Sequence, residues 1–183
     1  AGILFFLKLI KRFSTLEKGG NTLTINWFPG HMVKARREIE KNIKLVDIAL
    51  ILLDARAPFS CRNSDLEKIA RNKKVVMVLN KADLASPEAI RHYMQALEQE
   101  GFLVVAMDSL SGKGRQAVLR MAKSAFQEKA EELQRKGRRP RAIRAMIMGV
   151  PNIGKSTFLN SLVGQKIAQT GAKPGVTRGK QWV

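Results

Sequence analysis

Of the 183 residues only one is cysteine, Cys61, only 6% are aromatic, and 15 acidic side chains stand against 33 Lys and Arg. One thiol builds neither a disulfide framework nor a thiolate zinc cluster, and it suits a reducing compartment, so a cytoplasmic location is expected. Long apolar runs are also missing. The best candidates are broken by Lys8, Asp47 and Asp54, short of the roughly 18 to 20 residues that cross a bilayer, so no stable membrane association is expected. What is plentiful excludes a disordered chain: 45% of the residues are hydrophobic, enough for one α/β domain with a sizeable core. The formal charge of +18 points to a polyanionic partner, with nucleic acid first in line, because each phosphate neutralised by Lys or Arg releases condensed counterions.

Four apolar runs read as strands buried on both faces of a parallel sheet: Val46–Ala55, Val75–Leu79, Phe102–Met107 and Ala145–Met148. Ser86-Pro87-Glu88 is a helix start with proline in the first turn, and Gly101 is its stop. Leu119, Ala122, Phe126, Ala130 and Leu133 form a helical stripe ending near Gly137, and the mixed charges of 35–45 predict a helix before the first strand. Strand alternating with helix predicts a doubly wound, mostly parallel sheet. Residues 1–23 read differently: basic, acid-poor and placed around a short apolar block, they fit a disordered or artefactual N-terminal extension, leaving 24–183 as the domain.

Gly149-Val-Pro-Asn152-Ile153-Gly154-Lys155-Ser156 fits G-x-x-x-x-G-K-S, leaving a strand and entering the apolar helix that continues through Thr157. Glycines let backbone N–H groups turn toward phosphate oxygens, and the helix N-terminus adds its positive end. Lys155 reaches the β- and γ-phosphates and Ser156 can ligate Mg²⁺, which defines a P-loop NTPase. Asn152 can ligate K⁺ or brace the loop through local hydrogen bonds.

Asn80-Lys81-Ala-Asp83 leaves the end of another strand, where ligands of open α/β sheets bind. An ionised Asp83 accepts two parallel hydrogen bonds from guanine N1–H and its 2-amino group, whereas adenine presents an acceptor at N1 and no amine. At about 1.5 to 3 kcal/mol for each bond to a charged group, two bonds discriminate by several hundred-fold. Lys81 would lay its stem along the base and Asn80 would brace the loop. A third loop, Asp108-Ser109-Leu-Ser-Gly112, offers a backbone N–H to guanine O6 but is equally a plain Ser/Gly turn. Lys173-Pro-Gly175-Val-Thr177 lies where a switch threonine would complete a Mg²⁺ shell.

In the usual GTPase chain the phosphate loop comes first; here the base reader and Ser109 precede it, which is a circular permutation. With Trp27-Phe-Pro-Gly-His31-Met32, Asp54-Ala-Arg-Ala-Pro58, Arg62-Asn63 and the basic stretch Lys136–Arg144, the chain resembles the YlqF-type (RbgA) ribosome-biogenesis GTPases over about residues 24–183. The resemblance implies a GTP-hydrolysing assembly factor that switches its binding to the large ribosomal subunit precursor and its rRNA, with Mg²⁺ as its ion and K⁺ as a further candidate. It implies Asn80, Lys81 and Asp83 as base reader, Gly149 through Thr157 as phosphate loop, Thr177 as switch threonine and His31 as the residue that orients the attacking water.

The family's D-x-x-G motif does not follow the phosphate loop, since the last carboxylate is Glu132; the domain therefore reads as truncated, with weak nucleotide binding and little turnover expected. Asp54 imitates a metal-binding strand-end aspartate, but in the resemblance it belongs to the D-A-R-x-P turn. Losing the strand ahead of D-x-x-G would leave Ala145–Met148 as an open sheet edge. Residues 134–144, with Arg36, Arg37, Lys41 and Lys44, form the candidate RNA-binding surface. Two alternatives remain: a nucleotide-gated RNA-binding switch with incidental hydrolysis, and an ATP-dependent P-loop protein.

Overall fold

The computed structural model describes residues 3–7, 30–138, 142–166 and 179–182, with side chains in 36–138 and 142–166. In chain order the elements are β1 (Ile3–Leu7), α1 (Gly30–Ile43), β2 (Ile48–Asp54), α2 (Ser64–Ala70), β3 (Lys74–Asn80) and α3 (Pro87–Gln99), followed by β4 (Leu103–Met107), α4 (Arg115–Arg135), β5 (Ala145–Met148), α5 (Lys155–Val163) and β6 (Gly179–Trp182). They build one six-stranded sheet in the order β4-β3-β2-β5-β1-β6, parallel except for β6, which pairs antiparallel with β1.

The apolar strands are continuous because both faces of the sheet are covered. Along β2, Ile48, Leu50 and Leu52 point into a core closed by Phe126 of α4 and Phe158 of α5. Ala49, Ile51 and Leu53 point into a second core, closed by Ile43 of α1, Leu66 of α2 and Leu97 of α3. Each such aliphatic side chain contributes about 1.5 to 3 kcal/mol when fully buried, and all of these β2 residues are at most 2% exposed. Helix α3 starts as its sequence demands: the Ser86 hydroxyl accepts the Ala89 N–H at 3.2 Å and proline occupies the first turn.

Three features depart from the sequence reading. Helix α1 begins at Gly30, before the expected 35, directly after Pro29, a residue compatible with a helix start. Helix α2 was not anticipated: it has seven residues and buries only Leu66 and Ala70, too few for a periodic stripe. Its start is nevertheless capped, with Asn63 Oδ1 accepting from Asp65 N–H at 2.9 Å and Leu66 N–H at 3.3 Å. Third, β5 is not a free edge. Ile3–Leu7, expected within a disordered extension, pairs with it in register Ile3 to Ala145, so a five-residue apolar strand covers the exposed ladder of backbone groups.

Strand β2 pairs with β3 on one side and β5 on the other, and the chain reaches β5 only after passing through β4 and α4. In open α/β sheets such a reversal marks the usual ligand position, which here is the carboxyl ends of β2, β3 and β5. At the opposite edge Asp47 ties β2 to the entry of β5. One carboxylate oxygen accepts the Arg144 N–H at 3.0 Å and the other meets Lys129 Nζ at 3.1 Å.

Candidate functional site

Asn80 ends β3, 1% exposed, with each half of its amide in use. Its Nδ2 donates to the Ile153 carbonyl at 2.8 Å, and its Oδ1 accepts the Ser109 hydroxyl at 2.5 Å. Only a side chain that both donates and accepts can join the phosphate loop and the third loop in this way. Lys81 follows in the left-handed region, φ 59°, and turns the chain into the short 3₁₀ turn Ala82–Leu84 that presents Asp83, exposed, at the rim. Its ammonium donates to the Asn152 carbonyl and to Asp54 Oδ2, both at 3.0 Å.

Asp54, at the end of β2, is held from two sides. Arg56 grips it as a fork, Nε to Oδ1 at 2.9 Å and Nη2 to Oδ2 at 2.8 Å, and Lys81 shares Oδ2. The Arg56 guanidinium, then Lys81, keep the carboxyl far below the usual carboxylate range against the opposing effect of burial.

The phosphate loop runs from β5 into α5. Gly149, φ 152°, lies so close to β2 that a Cβ there would meet the Leu52 carbonyl oxygen at 2.9 Å. Gly154, φ 94°, caps α5 with no side chain, and a Cβ on it would sit 2.6 Å from Asn80 Nδ2. The loop therefore requires glycine at both positions, and the first turn of α5 is left with a positive end for an anion. Lys155 opens α5 while 3% exposed, its ammonium donating to the carbonyls of Gly149 at 2.9 Å and Val150 at 2.7 Å. Burial lowers its pKa from 10.5 to about 8. Among the described residues no group of three or more His, Cys, Asp or Glu side chains could hold a metal ion. A divalent cation here would draw on oxygens of a phosphate ligand, with the Ser156 hydroxyl as a candidate protein donor.

A family model described as a 50S ribosome-binding GTPase matches residues 144–183. The Ribosome biogenesis GTPase A of Bacillus pumilus is 47% identical over 161 residues, 88% of this chain and 57% of that protein. The protein of the same name from Thermotoga maritima is 32% identical over 86% of this chain and 53% of its own length. Among solved structures, GNP-bound YlqF from T. maritima superposes with a TM-score of 0.55 and 28% identity over 73% of this chain and 49% of that one. The chain belongs to the Ribosome biogenesis GTPase A (YlqF) family. It spans about half the length of the relatives it matches.

For this YlqF-family chain the structure joins Asn80, Lys81, Ser109, Asn152 and Ile153 through hydrogen bonds, with Gly154 packed close to Asn80, Asp83 on the adjoining turn, and Lys155, Ser156 and Thr157 in the first turn of α5. His31 is the second residue of α1, and its side chain lies outside the described ones. Gly175 and Thr177 also lie outside the described residues. Sequence reasoning missed two things. The Ser109 hydroxyl braces Asn80, and the D-A-R turn supplies Asp54 as partner of Lys81. The only signal for the second was an acidic residue at a strand end beside a base-reader strand.

Proposed function

We propose that the protein binds and hydrolyses GTP as an assembly factor for the large ribosomal subunit, switching its binding to the pre-ribosomal particle. One observation carries this reading. Asn80 and Lys81 are hydrogen-bonded to the carbonyls of Ile153 and Asn152, so base reader and phosphate loop form one rigid unit suited to a purine nucleoside triphosphate. In it Asp83 accepts from guanine N1–H and the 2-amino group, Lys81 supports the base, and the third loop at Ser109 faces the guanine O6. Lys155 neutralises β- and γ-phosphate charge, aided by the amides of Gly154 and the first turn of α5.

Mg²⁺ would be held by Ser156 and, with GTP, by Thr177 next to Gly175, and would neutralise charge on the phosphate oxygens. Asn152 is the protein donor for K⁺. His31 orients the attacking water as a neutral imidazole. The domain comprises residues 24–183 together with β1, Ile3–Leu7, which pairs with β5 in the same sheet, and the protein works in the cytoplasm. No described helix is long and apolar enough to span a membrane. The formal charge of +18 favours rRNA as the macromolecular partner. Relatives named for ribosome biogenesis and for GTPase activity speak against the ATP-dependent alternative and against a switch in which hydrolysis is incidental.

Calorimetry with GTP, XTP and ATP tests the base assignment. GTP should bind at least a hundred-fold more tightly than ATP, about 2.7 kcal/mol or more. Asp83→Asn should reverse the preference toward XTP, whose C2 oxygen accepts from the new amide. Equal heats for GTP and ATP would refute the reading. Turnover that rises on adding large-subunit precursor particles tests the assembly role.

A further inference from the structure

We propose that Asp54 is a positioning residue for nucleotide binding, holding the Lys81 ammonium against the Asn152 carbonyl so that the guanine-reading loop and the phosphate loop are locked together. The proposal rests on the GTP-binding reading above.

Asp54 stands where such a lock must stand. Strand β2 lies between β3, which ends in the base reader, and β5, which ends in the phosphate loop, and Asp54 is the last residue of β2, paired with Asn80. Its side chain is 14% exposed and its backbone is fixed as well: the Asp54 N–H donates to Cys61 Sγ at 3.1 Å, and the thiol donates to the Pro58 carbonyl at 3.3 Å. Arg56 makes the carboxylate rigid from the outer side, with the Arg56 N–H adding a bond to Oδ1 at 3.1 Å. Oδ2, which Arg56 Nη2 also bonds, is 3.0 Å from Lys81 Nζ.

Without that charge the Lys81 ammonium keeps one neutral partner, the Asn152 carbonyl. A lysine side chain regains rotamer freedom when its anchor is lost, and a ligand that uses it as a platform must then order it again on binding. Preorganisation of this kind acts mainly on release, because the encounter step hardly depends on it. Asp54 does not read the purine edge, which belongs to Asp83. Its loss should therefore weaken all guanine nucleotides alike.

Fluorescent GDP binding and release by the full-length protein tests this. Asp54→Asn, of the same size, should weaken GDP about ten-fold, chiefly through faster release, and leave the GTP-to-ATP ratio unchanged. In a Lys81→Met background the same substitution should cost less than about two-fold, because the interaction it removes is already gone. Asp54→Glu, which keeps the charge, should bind GDP more tightly than Asp54→Asn, and the nucleotide-free melting temperature of each variant should stay near that of the parent. Unchanged GDP affinity in Asp54→Asn, additive losses with Lys81→Met, or equal losses in Asn and Glu variants would overturn the proposal, as would melting temperatures that fall in step with affinity. Should Asp54→Asn not fold, Asp54→Glu against Lys81→Met decides by the same additivity criterion. A parent protein with no preference for guanine would sink the underlying reading too. A clear preference with an inert Asp54→Asn sinks only this proposal.

Discussion

Lys155 is charged in water and nearly enclosed in the protein, facing two neutral carbonyls, and its pKa drops to about 8. Between that value and the ordinary 10.5 the unfolded chain holds more protons than the folded one, so the contribution of Lys155 to stability rises with pH across this window. Phosphate binding has the opposite preference, since it needs the ammonium. Nucleotide affinity should therefore fall as pH rises above about 8, by up to ten-fold per pH unit, with a proton taken up on binding. Calorimetry in two buffers of different ionisation heat measures that proton. Gly154→Ala should displace the Asn80 amide from the Ile153 carbonyl and weaken GDP at least ten-fold, about 1.4 kcal/mol, readable by fluorescent nucleotide titration. At this scale the sequence was most legible where chemistry depends on neighbours along the chain, as in the phosphate loop. The contact of Asp54 with Lys81 escaped because the two are 27 residues apart and are brought together by the pairing of β2 with β3.

The strands β2 to β5 were readable because burial on both faces makes each a continuous apolar run, and α3 because its cap and stop are local signals. Helix α2 was not, since tertiary contacts rather than a stripe hold it. Arg62 supplies several of these: Nε and Nη2 bond Glu67 of α2 at 2.8 and 3.0 Å, Nη1 and Nη2 bond Glu100 behind α3 at 2.8 and 2.7 Å, and the guanidinium lies 5.4 Å from the centre of the Phe102 ring. Removing it leaves two carboxylates without their shared cation. Arg62→Ala should lower stability by about 1 to 3 kcal/mol in thermal or urea unfolding, while GDP affinity is retained, since its bonds go to Glu67 and Glu100 and not to Asn80, Lys81 or the phosphate loop. The β5 pairing was equally illegible, because the register of Ile3 with Ala145 bridges almost the whole chain and leaves no periodic trace.

Across the whole molecule charge and chemistry divide between the two edges of the sheet. The proposed nucleotide-site residues crowd the carboxyl ends of the strands, whereas Lys44, Arg71, Lys73, Lys74 and Lys129 gather at the amino ends, several of them lining, with Asp47 and Glu128, a cleft of about 410 Å³. Lys41 and Lys44 are exposed where α1 leads into that edge. Reversing both to Glu should weaken rRNA binding and flatten its dependence on salt, a log–log slope smaller by about 2 if each contacts a phosphate, with GDP affinity unchanged. Filter binding across a salt series reads that slope. Sheet order also has a consequence for synthesis. Strand β1 emerges from the ribosome more than 130 residues ahead of β5, the parallel neighbour on which it docks. At translation rates of about 5 to 20 residues per second, that apolar segment waits roughly 7 to 30 seconds for its partner, a window in which a chaperone, or the wrong chain, can claim it first.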